Sequence, residues 1–337
     1  MKTVCLAVDA TNQNNKIFTS NRSWIYNFKK DDGNIGFSLL KKELYKKGIF
    51  IGTQDCFKDK IPDLCMHFTS FKKTQGKVNY FLLPEHELIV PENKKKYKDN
   101  FYDKVFCQYD KLIDNKKFFK LNYPFSIDPK IDKEFANRPL LFSMIASNKS
   151  CKLKSKKILY QKRYEIINWF EENANKSFQL YGNDWNLPPK QNGFIGRIKN
   201  YINQKFNNQN LLKTYKGTVK KKSDILSSTK FTFCIENVEE NGYMSDIIFD
   251  AFNNGCIPIY LGPLNIKDYI PEESFINLRN FDDLSDLYKF LENYSENNYI
   301  KAYSELIKKI QKIKSEFSNE IFVNILLKHI QHDLKNS

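Results

Sequence analysis

One stretch of the chain, residues 236–281, limits the possible folds more than any other. A strand of alternating apolar residues ends just before it, and a helix with one apolar side follows and stops at Asn254–Gly255. A second, almost wholly apolar strand then runs from Ile257 to Leu261. A strand, a helix and a strand in this order form a βαβ unit with parallel strands. Ligands of such sheets bind at the carboxyl ends of the strands, where this stretch collects its polar residues.

The rest of the chain repeats this alternation, which predicts parallel α/β architecture throughout. Its 337 residues exceed the usual size of one domain, so two domains are expected. The predicted parts are an amino-terminal domain over 1–128, a linker over 129–139, a second domain over 140–299 and a terminal amphipathic helical segment over 300–337. The stretch 183–210 is predicted to be a loop and a basic helix.

The βαβ stretch also carries an ordered set of residues that matches a sequence signature. The signature belongs to the family-ten glycosyltransferases, the α-1,3/4-fucosyltransferases, which this chain resembles over most of its length and most strongly over 216–281. The matching residues are Glu236, Asn237, Gly242, Tyr243, Ser245, Asp246, Asp250, Ala251, Gly255, Pro258, Gly262, Tyr269, Phe275, Ile276 and Phe281. The resemblance implies an α/β, GT-B-like fold, with two Rossmann-like domains that face a central cleft.

The resemblance further implies a reaction: inverting, metal-independent transfer of fucose from GDP-fucose to a hydroxyl of a cell-surface glycan, without a cofactor. The expected partners are a nucleotide sugar and a glycan acceptor, free or lipid-linked. The chain contains no Asp-x-Asp triplet of the kind that metal-dependent sugar transferases use. The G-x-G-x-x-G and G-x-x-x-x-G-K-[ST] motifs are absent as well, which argues against dinucleotide oxidoreductases and P-loop NTPases.

One position departs from the signature. Where the family has a lysine that is thought to pair with the nucleotide diphosphate, this chain has Ile247. Donor binding is therefore expected to be weaker than in the family or to differ from it. Three interpretations stay open. The chain binds GDP-fucose without that lysine, it uses another nucleotide sugar, or it is a non-catalytic homologue.

A glutamate in the amino-terminal half is the candidate for the catalytic base, which must take the proton of the acceptor hydroxyl. Glu85 follows a predicted strand in FLLPEHELIVPEN. That segment resembles the family segment whose cleft-facing glutamate is assigned as the base. Glu87, two residues further on, is the second candidate, and an ordinary loop carboxylate is the alternative for both.

Two basic residues are candidates for contact with the diphosphate. Arg163 lies in a segment that resembles the family's Ser-Asn…Arg segment, and a guanidinium suits phosphate oxygens. Its alternative is a surface arginine on an amphipathic helix. Lys222 matches a family lysine before the signature strand, and it would supply charge that Ile247 lacks. Its alternative is a solvated run of lysines.

The remaining donor-binding candidates belong to the βαβ stretch. Glu236 closes a buried strand, where a carboxylate is costly unless it is paired or binds a ligand. The resemblance assigns Asp246 to the ribose hydroxyls, and a plain helix N-cap or first-turn acid is the alternative. We expect Asn237, Tyr243 and Ser245 to line the walls of the donor pocket.

The net charge of +15 indicates an anionic partner. A basic nucleic-acid-binding protein is the rival function, but the lysines do not gather on one predicted element and no nucleic-acid-binding motif occurs, so no nucleic acid partner is predicted. Seven single cysteines and four histidines without paired spacing predict reduced thiols in the cytoplasm and no zinc site.

No transmembrane helix is expected, because the chain has no apolar run of about 18 residues. The terminal segment has apolar residues at helical spacing and lysines on its other faces. It is predicted either to pack on the amino-terminal domain or to lie on anionic lipid. The predicted location is the cytoplasm, with peripheral contact to the inner face of a membrane as a further expectation.

Overall fold

A computed structural model describes residues 1–19, 35–58, 60–69, 72–129, 131–132, 134–151, 153–187 and 212–336. The chain divides into two compact units. Unit 1 comprises residues 1–126 and 314–337, and unit 2 comprises residues 127–313. The domain boundaries inferred from the sequence stay predictions, and most of the loop and basic helix predicted at 183–210 lies outside the described residues.

The helices alternate with strands along both units, as the sequence pattern predicts. Their bounds are α1 Ile35–Lys46, α2 Glu92–Lys98, α3 Tyr160–Asn173, α4 Ser223–Leu226, α5 Ile247–Asn253, α6 Leu284–Glu292, α7 Glu296–Lys308, α8 Ile310–Phe317 and α9 Asn319–Asn336. Within the described ranges, no helix combines the length and the apolar composition needed to cross a membrane.

The sheet of unit 1 is parallel throughout, in the order β2-β1-β3-β4-β5-β6. Its strands are β1 Thr3–Ala7, β2 Phe50–Thr53, β3 Leu64–His67, β4 Val78–Leu82, β5 Lys104–Cys107 and β6 Phe118–Lys120. Strand β6 was not predicted, because its three residues are too few to give a periodic signal. The other strands are nearly continuous apolar runs, since both faces of such a sheet are buried.

Helix α9 closes the core of unit 1. Four of its buried apolar residues recur every four positions: Phe322, Leu326, Ile330 and Leu334. This spacing places them on one face of the helix. Phe322 meets Phe37 of α1 edge to face, with ring centres 5.4 Å apart. The end of the chain is therefore part of the core that β1 begins.

The sheet of unit 2 is also parallel, in the order β11-β10-β9-β7-β8. Its strands are β7 Leu140–Ile145, β8 Phe178–Tyr181, β9 Thr229–Ile235, β10 Ile257–Leu261 and β11 Ile276–Asn277. The predicted βαβ unit is β9, α5 and β10. The α/β, GT-B-like prediction of two Rossmann-like parts is confirmed by this pair of parallel sheets.

A buried arginine anchors the end of the βαβ unit that lies away from the polar residues. Arg138 donates hydrogen bonds to the carbonyl oxygens of Leu226, Thr229 and Asn254, at 2.9, 2.6 and 2.7 Å. Gly255 follows α5 with φ +73°, and a Cβ there would lie 2.4 Å from Nη2 of Arg138. Both the backbone conformation and the close approach therefore require glycine.

The predicted terminal segment 300–337 forms parts of three helices, and its first part does not pack where the sequence suggested. Tyr303 of α7 donates hydrogen bonds to the carbonyl oxygens of Phe252 and Cys256, at 3.1 and 2.9 Å. Tyr299 stacks on Phe135 with ring centres 4.0 Å apart. The prediction that the whole stripe packs on the amino-terminal domain is wrong for α7, because these hydroxyl and ring contacts hold it within unit 2.

Candidate active site

Glu236 lies at the carboxyl end of β9 and is fully buried, with 0% of its surface exposed. Its Oε1 accepts hydrogen bonds from the backbone N–H of Ser245 at 2.9 Å and from the hydroxyl of Tyr260 at 3.1 Å. Its Oε2 is buried, and no described residue donates a hydrogen bond to it. The carboxyl group thus holds the turn before α5 against β10, and one of its oxygens is left over.

Burial raises the pKa of Glu236 from 4.5 to about 7. The hydrogen bonds from Ser245 and Tyr260 favour the charged form and partly oppose this shift, and the nearby carboxylate of Asp246 adds to it. A glycine is required close by, since a Cβ at Gly262 would lie 2.5 Å from the hydroxyl oxygen of Tyr260 and 2.8 Å from Cγ of Glu236. The signature glycine therefore makes room for this hydrogen-bonded carboxyl group.

Arg163 comes from the first turn of α3, and its guanidinium points at the end of β9. Its Nη2 donates hydrogen bonds to the carbonyl oxygen of Ile235 at 2.5 Å and to Oδ1 of Asn237 at 3.1 Å. The guanidinium also lies over the ring of Tyr160, 5.0 Å from its centre. With 9% of its surface exposed, Arg163 is not the surface arginine that was the alternative.

Backbone pairing explains why α3 begins next to β9. The N–H of Leu159 donates to the carbonyl oxygen of Asn237 at 3.0 Å, and the N–H of Glu239 donates to that of Lys157 at 2.7 Å. The amide of Asn237 then donates to the hydroxyl of the buried Tyr243 at 3.3 Å. The contacts of Arg163, Asn237 and Tyr243 thus lie next to those of Glu236 and Ser245 at the sheet's carboxyl edge, because Glu236 and Asn237 are consecutive residues.

Lys222 joins the same edge from the residue before α4. Its Nζ lies 2.9 Å from Oδ2 of Asp246 and 2.5 Å from Oδ2 of Asp250. Burial alone would lower the pKa of Lys222, but the two carboxylates outweigh it and raise the pKa above its usual value. Lys222 is therefore held in an ion-paired cluster and is less exposed than Lys220 and Lys221.

Asp246 precedes α5 but does not cap it. Its backbone is already helical, and its side chain makes no capping hydrogen bond. The carboxylate turns to Lys222 instead, so the N-cap alternative is wrong for its side chain. Ile247, which stands in place of the family lysine, is the first residue of α5 and is half-buried.

The two base candidates lie in unit 1, in the loop after β4, and the other candidate residues lie in unit 2. The carboxylate of Glu87 accepts a short hydrogen bond from the hydroxyl of Tyr97. It also forms an ion pair with Lys94, whose Nζ lies 3.3 Å from Oε1 of Glu87. Burial would raise the pKa of Glu87, but these two partners outweigh it and hold the pKa below its usual value. Glu85 is half-buried, and its carbonyl oxygen accepts a hydrogen bond from Asn93 at 2.7 Å.

Two functional-looking contacts at the same edge were not predicted from the sequence. Tyr260 was not singled out, although its hydroxyl binds Glu236. Arg279 follows β11 and donates hydrogen bonds to Glu239 and to the carbonyl oxygen of Gly262, both at 2.5 Å. The signal that could have found Arg279 is its position just after a strand of the same sheet. No three His, Cys, Asp or Glu side chains of the described residues group as metal ligands would.

The chain was compared with known families and proteins. Residues 171–327 match the family described as Glycosyltransferase family 10 (fucosyltransferase) C-term. This match confirms the resemblance that the sequence signature suggested. The matched region contains the whole βαβ unit, including the network around Glu236 and the cluster around Lys222.

Two named relatives are fucosyltransferases. The chain is 40% identical over 91 residues to Alpha-(1,3)-fucosyltransferase FucT of Helicobacter pylori. This alignment covers 26% of this chain and 19% of that protein. It is 29% identical over 135 residues to 4-galactosyl-N-acetylglucosaminide 3-alpha-L-fucosyltransferase 9 of Mus musculus, covering 40% of this chain and 33% of that protein. The alignments thus span between a fifth and a third of these relatives.

The fold is similar to that of solved glycosyltransferases. A crystal structure of an α1,3-fucosyltransferase aligns with a TM-score of 0.56 at 14% identity, over 100% of this chain and 91% of that one. A glycosyltransferase from Rickettsia africae aligns with a TM-score of 0.53 at 12% identity, over 100% and 99%. At these identities the similarity establishes the fold.

Proposed function

We propose that this protein is an inverting glycosyltransferase that transfers fucose from GDP-fucose to a hydroxyl of a cell-surface glycan, without a metal ion. The observation that carries the proposal is the set of polar contacts at the carboxyl edge of the unit 2 sheet, where Arg163 donates to Asn237 and the neighbouring Glu236 binds Ser245. Asn237, Glu236 and Ser245 lie within the region that matches family ten, and Arg163 precedes that region. Open α/β sheets bind their ligands at this edge. The curated relatives named above are α-1,3-fucosyltransferases, and one similar crystal structure contains GDP.

The donor side of the reaction falls to unit 2. Arg163 is the cation for the departing diphosphate, because its charge is held in place by two acceptors of the strand end before any ligand arrives. Glu236 supports the turn that carries Ser245 and Asp246, and Asn237 and Tyr243 line the pocket. Lys222 belongs to the same donor side through Asp246.

The acceptor side falls to unit 1. Glu85 takes the proton of the acceptor hydroxyl, whose oxygen forms a bond to the anomeric carbon while the bond from that carbon to the diphosphate breaks. Attack from the face opposite the nucleotide inverts the anomeric carbon. Glu85 is preferred to Glu87, because Tyr97 and Lys94 already hold the carboxylate of Glu87 and lower its pKa, which weakens it as a base.

A different nucleotide sugar is the second candidate donor. Ile247 places an apolar, half-buried side chain at the start of α5, where the family has a lysine. The candidate cation that contacts α5, Lys222, is shared by two carboxylates. A donor that demands less positive charge at this point is therefore compatible with the site.

The acceptor is proposed to be lipid-linked and reached from the cytoplasmic face of a membrane. Exposed basic and apolar side chains lie side by side on α7, where Ile300 and Ile307 are 42% and 39% exposed and Lys301 and Lys308 are exposed beside them. Such a face suits contact with anionic headgroups. Sedimentation with anionic vesicles should recover the chain at low salt and lose it at high salt. If the chain fails to sediment with the vesicles at low salt, the membrane contact is wrong.

A donor screen tests the transfer reaction. The chain is incubated with an acceptor glycan and, in turn, GDP-fucose, GDP-mannose, UDP-galactose and UDP-glucose, and nucleotide release is measured with and without a chelator. The proposal expects release from GDP-fucose only, unchanged by the chelator. Release from a UDP-sugar would favour the second candidate, and dependence on a divalent ion would overturn the metal-independent mechanism.

A further inference from the structure

The position of Lys222 defines a cluster of three charges, called here the lysine clasp: Lys222, Asp246 and Asp250. The two aspartates are four positions apart, one turn of helix, and frame the start of α5. Lys222 reaches them from another element, over 24 and 28 positions of the chain. The clasp therefore ties the residue before α4 to the start of α5.

The charge of the clasp does not suit a diphosphate. One ammonium and two carboxylates sum to a net charge of −1, and the three side chains are only 22% to 29% exposed. A phosphate oxygen that approached Lys222 would meet two carboxylate oxygens within 2.9 Å of the same nitrogen. Like charges in a partly buried site repel, so this ammonium is a poor phosphate ligand.

The same charge suits the hydroxyl groups of a sugar. A carboxylate only accepts hydrogen bonds, and hydroxyl groups are neutral donors. An ammonium that holds the carboxylate in one orientation lowers the conformational entropy that the carboxylate side chain would lose when a ligand binds. The clasp itself is anchored, because the backbone oxygen of Lys222 accepts hydrogen bonds from the N–H groups of Ile225 and Leu226 at 3.1 and 2.9 Å.

We infer that Lys222 is a positioning residue that holds Asp246 for the ribose hydroxyls of the donor and that it does not contact the diphosphate. This inference rests on the proposed function, since it concerns the donor site of the transferase. It also separates two cations that the sequence grouped together: Arg163 serves the diphosphate, and Lys222 serves the ribose through Asp246.

Paired nucleotide ligands test the inference. Affinities of the full chain for GDP and for guanosine are measured by calorimetry for the unchanged protein, Lys222→Met and Lys222→Arg. A positioning role predicts that Lys222→Met weakens both ligands by the same factor, about tenfold for one charge-assisted contact. The ratio of the two affinities should stay within about twofold of the unchanged protein. Lys222→Arg should restore most of the loss for both ligands.

Further arms separate positioning from misfolding. In Lys222→Met the two aspartates lose the ammonium that lies between them, so the pair Lys222→Met with Asp250→Asn restores the summed charge of −1 at the three positions and keeps Asp246. This double variant should bind GDP and guanosine as weakly as Lys222→Met. In an Asp246→Asn background, Lys222→Met should change guanosine affinity by less than about twofold, because the group it positions is gone. Lys220→Met, an exposed lysine two positions earlier, is the matched control.

Distinct results would overturn the inference. A loss of GDP affinity with unchanged guanosine affinity makes Lys222 a phosphate ligand, and unchanged affinity for both ligands removes it from the site. An equal loss in the Asp246→Asn background denies the coupling to Asp246. Failure of the unchanged protein to bind GDP would instead overturn the proposed function, and the inference with it.

Discussion

The guanidinium of Arg163 lies 3.1 Å from the amide oxygen of Asn237, although 74 positions separate the two residues. Because the same guanidinium binds the carbonyl oxygen of Ile235, it closes the polar end of β9. A cation fixed in this way is ready for an anion without further ordering of its side chain. The arrangement makes α3 a part of the candidate donor site.

Replacing Arg163 should therefore weaken both binding and folding. Arg163→Ala leaves the acceptors at Ile235 and Asn237 without their donor, which should cost about 1–3 kcal/mol of stability. GDP affinity should fall at least about tenfold, as expected for the loss of a charge-assisted contact. Thermal unfolding and calorimetry measure the two effects. Lys162→Met, at the neighbouring, partly exposed position of α3 that pairs with Glu165, is the control. Full GDP affinity in a folded Arg163→Ala protein would remove Arg163 from the donor site.

A lysine at position 247 should strengthen donor binding. Ile247→Lys restores the residue that the family signature has at the start of α5. An added cation near the diphosphate should tighten GDP binding by about 1–2 kcal/mol. The two carboxylates of the lysine clasp lie close in sequence and would keep the new ammonium charged. Calorimetry with GDP measures the gain, and Ile247→Met is the control for side-chain length. Unchanged or weaker binding would mean that the family alignment misplaces position 247.

The base assignment separates turnover from nucleotide binding. Glu85→Gln should abolish transfer while GDP affinity stays within about twofold, because a base acts on the acceptor. Glu87→Gln should retain most of the activity, since that carboxylate is committed to Tyr97 and Lys94. Initial rates with saturating donor, together with GDP calorimetry, distinguish the two variants. Normal turnover in Glu85→Gln with an inactive Glu87→Gln would move the base two residues along.

The buried carboxyl of Glu236 should give the protein a specific pH dependence. Its pKa is raised from 4.5 to about 7, so the folded protein keeps this proton across that window while the unfolded chain loses it. The free energy of unfolding should therefore fall as the pH rises from about 4.5 to 7 and then level off. The total loss attributable to this group is at most about 3 kcal/mol.

Glu236→Gln removes this titration and keeps an oxygen for Ser245 and Tyr260. The variant should gain stability relative to the unchanged protein as the pH rises from 5 to 8, which thermal unfolding at several pH values can follow. Glu273→Gln, at an exposed position, should run parallel to the unchanged protein. Parallel curves for Glu236→Gln as well would show that the carboxyl of Glu236 does not hold its proton in the folded state.

The sequence sufficed for the parts of the fold that depend on local patterns. The βαβ unit was predicted because β9 and β10 are apolar runs and α5 has one apolar face, and these periodicities need no partner to be visible. The short strand β6 and the packing of Tyr303 on unit 2 were not predicted. Three residues carry too little pattern, and a helical stripe does not say which surface it covers.

The site was predicted as a set of residues but not as a set of contacts. Glu236 was expected to be paired or to bind a ligand, and its hydrogen bonds with Ser245 and Tyr260 are of that kind. The burial of Arg163 and the pairing of Lys222 with two aspartates could not be foreseen, because the contacts join residues 24 to 74 positions apart. Only the folded sheet brings these residues together.

The return of α9 to the core of unit 1 has a consequence for how the protein emerges during translation. Unit 2 is one continuous stretch, 127–313, and can fold as soon as it leaves the ribosome. The apolar strands of unit 1 cannot be fully buried until Phe322 and the rest of α9 have been synthesised. Contacts between such distant parts of a chain form slowly. The strands of unit 1 that precede residue 127 are therefore synthesised before unit 2 but are buried after it.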